Sequence, residues 1–215
     1  MDPIDLLLSE HRVIARVLDA MLVVADDWRR GGDGRPTLAR FVRFIREYAD
    51  LRHHGKEEDL LFEAMIEHGV PREYGPIACM LGEHEAGRAL VAQLGRRATQ
   101  AAAWTDDDRD DNLRDAMDFT ALLRNHIAKE DQMLYPLARR TLPAATVEAL
   151  AIACAEQAPP ADDPLMALAT ELIALGQATV HGVDPAAATA AAAWLGTPRT
   201  RRRGRHATIA RWSAP

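Results

Sequence analysis

Two segments of the chain carry a histidine and a glutamate four residues apart. His54 and Glu58 form the first pair, and His126 and Glu130 form the second. Residues at this spacing lie one turn apart on the same face of an α-helix, so each pair could offer two ligands to one place. Neutral imidazole and carboxylate both coordinate metal ions, whereas a single pair of this kind is usually a surface ion pair. The spacing therefore indicates metal binding, provided that both pairs face the core.

The helical phase of the two pairs predicts that they do face the core. With a step of 100° per residue, His54 and Glu58 fall inside an apolar wedge of their helix, while His53 and Glu57 fall beyond its edge. The wedge is defined by Leu51, Leu61, Phe62 and Met65. His126 and Glu130 fall inside the corresponding stripe of the second segment. That stripe is defined by Phe119, Leu122, Leu123, Met133, Leu134 and Leu137.

The two segments can be aligned in two registers. The first aligns His54 and Glu58 with the second pair and also matches Asp59 to Asp131. The rival register aligns Lys56 with Lys129, and it makes His53 and Glu57 the equivalents of the second pair. We favour the first register because the rival turns His53 and Glu57 off the apolar wedge of their own helix.

Two more histidines lie on apolar faces of other helical segments. His11 stands among Leu7, Ile14 and Leu18, and His84 stands among Met80, Leu81 and other apolar residues. A lone histidine on such a face is usually a hydrogen-bonded core residue, but six ionisable groups on one axis need a shared partner to be buried together. A metal centre would supply that partner. The candidate ligands are His11, His54, Glu58, His84, His126 and Glu130.

The number and types of the candidate ligands indicate two six-coordinate metal ions. Four imidazoles and two carboxylates are too many for one tetrahedral zinc ion, and Cys79 and Cys154 are too far apart in the chain to suggest a thiolate site. Two six-coordinate ions would offer about twelve positions, of which two bridging glutamates and four histidines fill about eight. Iron suits such mixed nitrogen and oxygen sites, and manganese or zinc remain open.

Four long helical patterns must position these residues. They are separated by short connections rich in glycine, proline or polar residues, and strand-type alternation is absent. The first pattern begins at Pro3, with Asp2 as its N-cap, and ends at the glycine cluster at 31, and the others run over about 37–67, 76–103 and 107–140. Four long helices with short connections predict an all-α fold with an up-down-up-down four-helix bundle.

The remainder of the chain is predicted to extend the bundle. The segment 143–157 reads as a short fifth helix, so we expect a bundle domain over residues 1–158 and an extension over 159–215. Asp163-Pro164 and Asp184-Pro185 signal two further helices, the second of them an alanine-rich segment at 186–195. We expect these helices to pack weakly and the arginine-rich tail to be disordered.

Charge and composition exclude several classes of protein. The chain has a net charge of −6, and its last 17 residues hold six arginines and no acids, so the first 198 residues carry −12. An acidic main domain argues against nucleic-acid binding there. We see no signal peptide and no apolar run of about 18 residues, so we expect a cytoplasmic protein that does not span a membrane.

The order of the ligands distinguishes two kinds of metal-binding bundle. Ferritin-like proteins use Glu-x-x-His at i, i+3 together with additional glutamates, and that pattern does not fit. The series His11, His54-x-x-x-Glu58, His84, His126-x-x-x-Glu130 instead resembles the hemerythrin-like (HHE cation-binding) family over about residues 4 to 157. The phrases at 53–58 (His-His-Gly-Lys-Glu-Glu) and 83–85 (Glu-His-Glu) strengthen the likeness.

The resemblance implies a four-helix bundle around an oxo- or hydroxo-bridged non-haem di-iron centre. It implies that Glu58 and Glu130 bridge the two ions and that the histidines are terminal ligands. Oxygen-carrying members have a histidine pair four apart on the third helix, whereas here Met80 and Arg88 stand four residues from His84. This departure argues against simple reversible oxygen carriage.

The function expected from the resemblance is that of a di-iron protein that binds or reacts with a small oxidant, such as oxygen, nitric oxide or peroxide. A metal-binding protein is favoured over a dedicated enzyme. The first alternative is an iron- or oxygen-sensing module, with a protein partner bound through the C-terminal extension. The second alternative is peroxide decomposition or repair of iron centres.

Overall fold

The computed structural model describes residues 1–181, and in this part of the chain every regular element is a helix. The helix predicted at 186–195 and the arginine-rich tail lie outside the described residues. In chain order the α-helical segments are α1 (Pro3–Trp28), α2 (Arg35–Phe44), α3 (Glu63–Glu67), α4 (Pro76–Thr99), α5 (Asp106–Lys129), α6 (Tyr135–Thr141), α7 (Ala144–Glu156) and α8 (Pro164–His181). Three π-helical segments interrupt this series, namely π1 (Ile45–His54), π2 (Glu57–Phe62) and π3 (Glu130–Leu134).

The predicted all-α bundle is confirmed. One continuous helix runs from α2 through π1 and π2 to α3, and another runs from α5 through π3 to α6. Together with α1 and α4 these two composite helices form the bundle, in which α1 packs against α5, α5 against α4, and α4 against α2. None of the helices in residues 1–181 is both long and apolar enough to cross a membrane.

Local sequence explains where the helices begin and end. The Asp2 side chain accepts hydrogen bonds from the backbone of Ile4 and Asp5, and Pro3 occupies the first turn of α1. Thr105 and Asp108 form a reciprocal capping box at the start of α5. Gly69, with φ of 91°, ends α3 in a conformation that other residues rarely adopt.

The apolar core is divided into two clusters with a polar layer between them. One cluster contains Ile14 of α1 and Leu123 of α5, and the other contains Leu7 of α1 and Leu134 of π3. His11 lies between the two levels on α1. The same change of cluster occurs along the other bundle helices, which places the polar layer at one height across the bundle.

Helix α8 packs against the bundle more closely than a weakly packed extension would. It contributes Leu165, Leu168 and Leu172 to the larger core cluster. A Cβ atom at Gly176 would lie 2.7 Å from Ala20, so the absent side chain permits close approach of α8 to α1. Arg52 and Asp163 form a bidentate ion pair that ties π1 to the start of α8. The expectation of weak packing is therefore wrong for this helix.

Candidate metal centre

The π-helical segments change which side chains face the interior. A π turn is closed by i→i+5 hydrogen bonds, so it holds more residues and advances each one by a smaller angle than the 100° of an α-helix. His53 and His54 are both buried as a result, and Glu57 is completely buried. Leu51 and Met133, which an α-helical phase places inside, are 76% and 65% exposed. The prediction that His53 and Glu57 face outward is therefore wrong.

Two groups of buried side chains converge in the polar layer. In each group the candidate ligand atoms all lie within 4.8 Å of one another. The three-histidine group consists of His54, Glu57, His84 and His126, and the two-histidine group consists of His11, His53, Glu57 and Glu130. Glu57 belongs to both groups, so the two groups share a carboxylate.

The two glutamates of these groups, Glu57 and Glu130, reach toward both ends of the arrangement. Glu57 Oε2 lies 3.7 Å from His53 Nε2 in one group and 3.6 Å from His84 Nε2 in the other. Glu130 directs Oε2 to His11 Nε2 and Oε1 to His126 Nε2, each at 3.2 Å. These positions suit carboxylates that bridge two ions.

The structure does not bring Glu58 into either group. Its Oε1 atom lies 2.6 Å from His84 Nδ1, on the far side of that ring, and accepts a hydrogen bond from Arg88 at 2.6 Å. The two groups contain Glu57 in the place that the sequence analysis gave to Glu58. Of the six predicted residues, the two groups bring together His11, His54, His84, His126 and Glu130. His53 and Glu57 complete them, as the rejected register indicates.

Each of the five histidines has a carboxylate beside its Nδ1 atom. The pairs are His11 with Asp131 at 2.7 Å, His53 with Glu10 at 2.9 Å, His54 with Asp50 at 3.4 Å, His84 with Glu58 at 2.6 Å, and His126 with Glu83 at 3.0 Å. A carboxylate that accepts the Nδ1 proton fixes the ring and leaves the Nε2 lone pair free for a metal. All five rings are therefore oriented as ligands.

Three cations pair with these outer carboxylates. The buried Lys56 donates to Glu10 at 2.8 Å, Arg88 donates to Asp50 and Glu58, and Lys129 pairs with Glu83. With neutral imidazoles, seven ionised carboxylates and three cations leave four negative charges. That excess equals the charge of two divalent ions.

Orphaned polar atoms test whether the site fits a metal. Within residues 1–181, the buried atoms His53 Nε2, Glu57 Oε2 and both oxygens of Glu130 have no hydrogen-bond partner. In addition, His84 Nε2 and His126 Nε2 lie 3.1 Å apart although each ring already has a carboxylate at Nδ1. Buried acceptors that face one another are costly without a cation between them. The donor set therefore fits metal ions.

The pKa values of the histidines without metal also reflect their burial next to other ionisable groups. Burial lowers the pKa of His53 to about 4, and burial together with the charges of His54 and His126 lowers that of His84 to about 2. Burial also opposes the charge of His11, but the hydrogen bond to Asp131 and the nearby carboxylate of Glu130 outweigh it and raise its pKa to about 9. Protons thus occupy part of the site where metal charge is absent.

The two groups differ in their access to the surface. A cavity of about 410 Å³ between π1, α4 and α5 is lined by all three rings of the three-histidine group, His54, His84 and His126. Its walls also include apolar side chains, among them Val91 and Phe119. The two-histidine group is covered instead by Tyr135, which is 1% exposed and stacks on His11 with ring centroids 5.4 Å apart.

The match to a known family agrees with this geometry. The hemerythrin HHE cation-binding domain matches residues 2–138. Uncharacterized proteins of Mycobacterium bovis and of two strains of Mycobacterium tuberculosis are each 25% identical over 142 residues, which is 64% of this chain and 54% of theirs. The chain thus spans about half the length of the curated relatives it matches. No solved structure matches it. With buried histidine and glutamate groups able to hold metal, the chain belongs to the hemerythrin HHE cation-binding domain family.

Proposed function

We propose that the protein holds two iron ions, one in each histidine group, and that it binds or reacts with a small oxidant such as oxygen, nitric oxide or peroxide. The sharing of Glu57 by both groups carries this proposal, because a carboxylate common to two ligand sets suits a pair of adjacent ions. Mixed imidazole and carboxylate donors without a thiolate suit iron, and manganese or zinc are the competing occupants.

The structure contributes one imidazole more than the sequence led us to expect. Five histidines surround the site, because His53 on π1 joins the four that were predicted. The absence of a second histidine on the helix of His84 is therefore balanced by two adjacent histidines on π1. The number of histidines is therefore compatible with reversible oxygen carriage.

The side chains around the site hold the histidine rings in a fixed orientation and surround the polar layer. The outer carboxylates hold the five rings, and the three cations hold four of those carboxylates in turn. The apolar clusters above and below flank the layer, and the cavity leads to it at the three-histidine end. A pair of iron ions would supply redox-active, Lewis-acidic positions for a small ligand.

The cavity beside the three-histidine group supports the choice of a small ligand. Its volume of about 410 Å³ and its largely apolar walls would admit an uncharged diatomic molecule or peroxide more readily than a charged metabolite. It reaches His54, His84 and His126 and so leads to the metal layer.

The ion pair between Arg52 and Asp163 favours a second function, that of a sensing module. Arg52 directly precedes His53, and Asp163 stands at the start of α8. A change at the metal site that moved π1 would therefore be passed to α8 and to the chain that follows. Limited proteolysis of the iron-loaded and iron-free protein tests this, since a sensor would change its cleavage pattern after α8.

Anaerobic loading with ferrous iron, followed by optical spectra on adding oxygen, nitric oxide and peroxide in turn, tests the main proposal. We expect about two irons per chain and a spectral change with at least one of the three oxidants. Failure to bind any transition metal would contradict the metal centre. Stable binding of two irons without any response would contradict the reaction with small oxidants.

A further inference from the structure

Tyr135 lies at the closed end of the metal centre. It follows Glu130 by five residues, and the intervening π3 turn brings positions five apart onto one side of the helix. Its phenolic oxygen donates a hydrogen bond to Glu57 Oε1 at 2.6 Å and lies 3.3 Å from His11 Nε2. The oxygen thus touches the shared carboxylate and the metal-facing nitrogen of a histidine.

We propose that Tyr135 is a direct ligand of the ion in the two-histidine group, bound through its phenolate oxygen. This inference rests on the proposed function, because it requires an ion in that group. Metal binding would break the phenolic O–H bond and form an oxygen–metal bond, and the proton would leave to solvent.

The distances around the phenolic oxygen match those between neighbouring ligands of one ion. Metal–nitrogen and metal–oxygen bonds of about 2.1 Å at right angles put adjacent ligand atoms roughly 3 Å apart. The phenolic oxygen lies 2.6 and 3.3 Å from its two neighbours, and Glu130 Oε2 lies 3.2 Å from His11 Nε2. The oxygen therefore occupies the place of a further ligand beside His11 and Glu57.

A purely structural hydrogen bond explains only part of this arrangement. A phenol has one proton to donate, and Glu57 receives it. In the metal-free protein a second proton on His11 can fill the contact with the phenolic oxygen, but a metal ligand must be neutral at this nitrogen: the Nδ1 proton then goes to Asp131, and the Nε2 lone pair faces the phenolic oxygen without a proton between them. A cation that both atoms bind resolves this contact.

Tyrosine ligation would make the two ends of the centre unequal. The two-histidine group supplies four side chains, and Tyr135 would supply a fifth, which leaves about one of six positions for a bridging oxygen. The ring is held in place by its stacking on His11, with an interplanar angle of 11°. A small ligand would then reach the centre through the cavity at the three-histidine end.

The test is spectroscopic and uses the whole chain. The protein is loaded anaerobically with ferrous iron and oxidised by one electron per iron, and its visible absorption and resonance Raman spectra are recorded. We expect a phenolate-to-iron charge-transfer band and enhanced phenolate ring modes in the wild type. Tyr135→Phe should lose both signals, whereas Tyr48→Phe, a change at another buried tyrosine, should keep them.

The outcomes separate this inference from the proposed function. Two bound irons without phenolate signals in the wild type would overturn the ligand role of Tyr135 and leave the metal centre standing. Absence of bound iron would overturn both. If Tyr135→Phe does not fold, ring-deuterated tyrosine in the wild type still decides, because iron-bound phenolate modes must shift on labelling. A signal that persists in folded Tyr135→Phe would also refute the inference.

Discussion

The two histidine groups are built from similar side chains but meet the rest of the molecule differently. The three-histidine group lines a cavity, and two of its rings are held by carboxylates that share Arg88. The two-histidine group is sealed by Tyr135 and is held through the buried pair of Glu10 and Lys56. One end is therefore open to a small ligand, and the other would enclose a bound ion.

The largest effect is expected at the carboxylate that the two ends share. Glu57→Ala should remove both ions, from about two per chain to nearly none, because each group loses a ligand at once. Glu58→Ala is the matched control, since Glu58 only orients His84, and loss of such an outer partner costs about 10- to 100-fold in metal affinity. Metal analysis at saturating iron compares the two variants. Retention of both ions by Glu57→Ala would mean that Glu57 is not a shared ligand.

The next effect should distinguish the ends. His53→Ala removes an imidazole from the two-histidine group only, and His54→Ala removes one from the three-histidine group only. We expect each variant to bind about one ion per chain tightly, with different optical spectra. Iron titration of both variants measures this. Normal iron binding by His53→Ala would mean that His53 is not a ligand, as the 100° step of an α-helix predicted.

These two variants also mark the limit of the sequence analysis. Helix existence, caps and the inward direction of His11, His84 and His126 could be predicted, because they lie on α1, α4 and α5, which are regular helices. His53 and Glu57 could not be placed by a 100° step, because they belong to π1 and π2. The one feature of the sequence that pointed to His53 and Glu57 was the rival register, in which Lys56 aligns with Lys129.

The same physical reason explains why Tyr135 was missed. An α-helical phase turns a residue five positions after Glu130 away from it, whereas the π3 turn brings the two together. The contacts of the outer carboxylates with the histidines could not be predicted either. In the sequence, Glu10, Glu83 and Asp131 are polar residues directly beside the inward-facing positions. Their roles depend on distances between helices that no single helix pattern contains.

Loss of the Arg88 guanidinium should weaken the three-histidine end alone. Arg88→Met leaves Asp50 and Glu58 without their shared cation, so the rings of His54 and His84 lose their fixed orientation. We expect metal affinity at that end to fall about 10- to 100-fold, with partial recovery in Arg88→Lys. Arg43→Met, which removes a surface pair with Glu47, is the control. Equal effects at both ends, followed spectroscopically, would speak against a local role.

The ion pair between Arg52 of π1 and Asp163 before α8 should contribute to the free energy of unfolding in a pH-dependent way. Asp163→Asn should lower the free energy of unfolding at pH 7 by about 1–2 kcal/mol, because the ion pair with Arg52 and the bond to the Leu165 backbone are weakened. The hydrogen bond from Arg52 lowers the pKa of Asp163 below its ordinary 3.8. The wild-type advantage should therefore be complete above about pH 4 and vanish as pH falls through the lowered pKa.

Urea unfolding at several pH values measures this advantage, with Asp162→Asn as the exposed neighbouring control. An advantage of the wild type that grew as the pH fell would have the wrong sign for a carboxylate with a lowered pKa.

The smallest effect concerns access through the cavity. A Cβ atom at Gly87 would meet Leu122 at 3.7 Å and Phe119 at 3.8 Å, which are ordinary contacts, so Gly87→Ala should fold and narrow the cavity. We expect the reaction of the loaded protein with nitric oxide to slow a few-fold in stopped-flow measurements. Gly82→Ala, whose Cβ would have no neighbour within 4 Å, should react normally. Equal rates in both variants would exclude this route.

Anomalous diffraction at the iron absorption edge, from crystals of the iron-loaded protein, tests the central claim most directly. Two peaks are expected, about 3.5–4 Å apart, one among His54, His84 and His126 and the other beside His11 and His53, with Glu57 between them. A single peak, or a second peak away from His11 and His53, would contradict a centre of two ions that share Glu57.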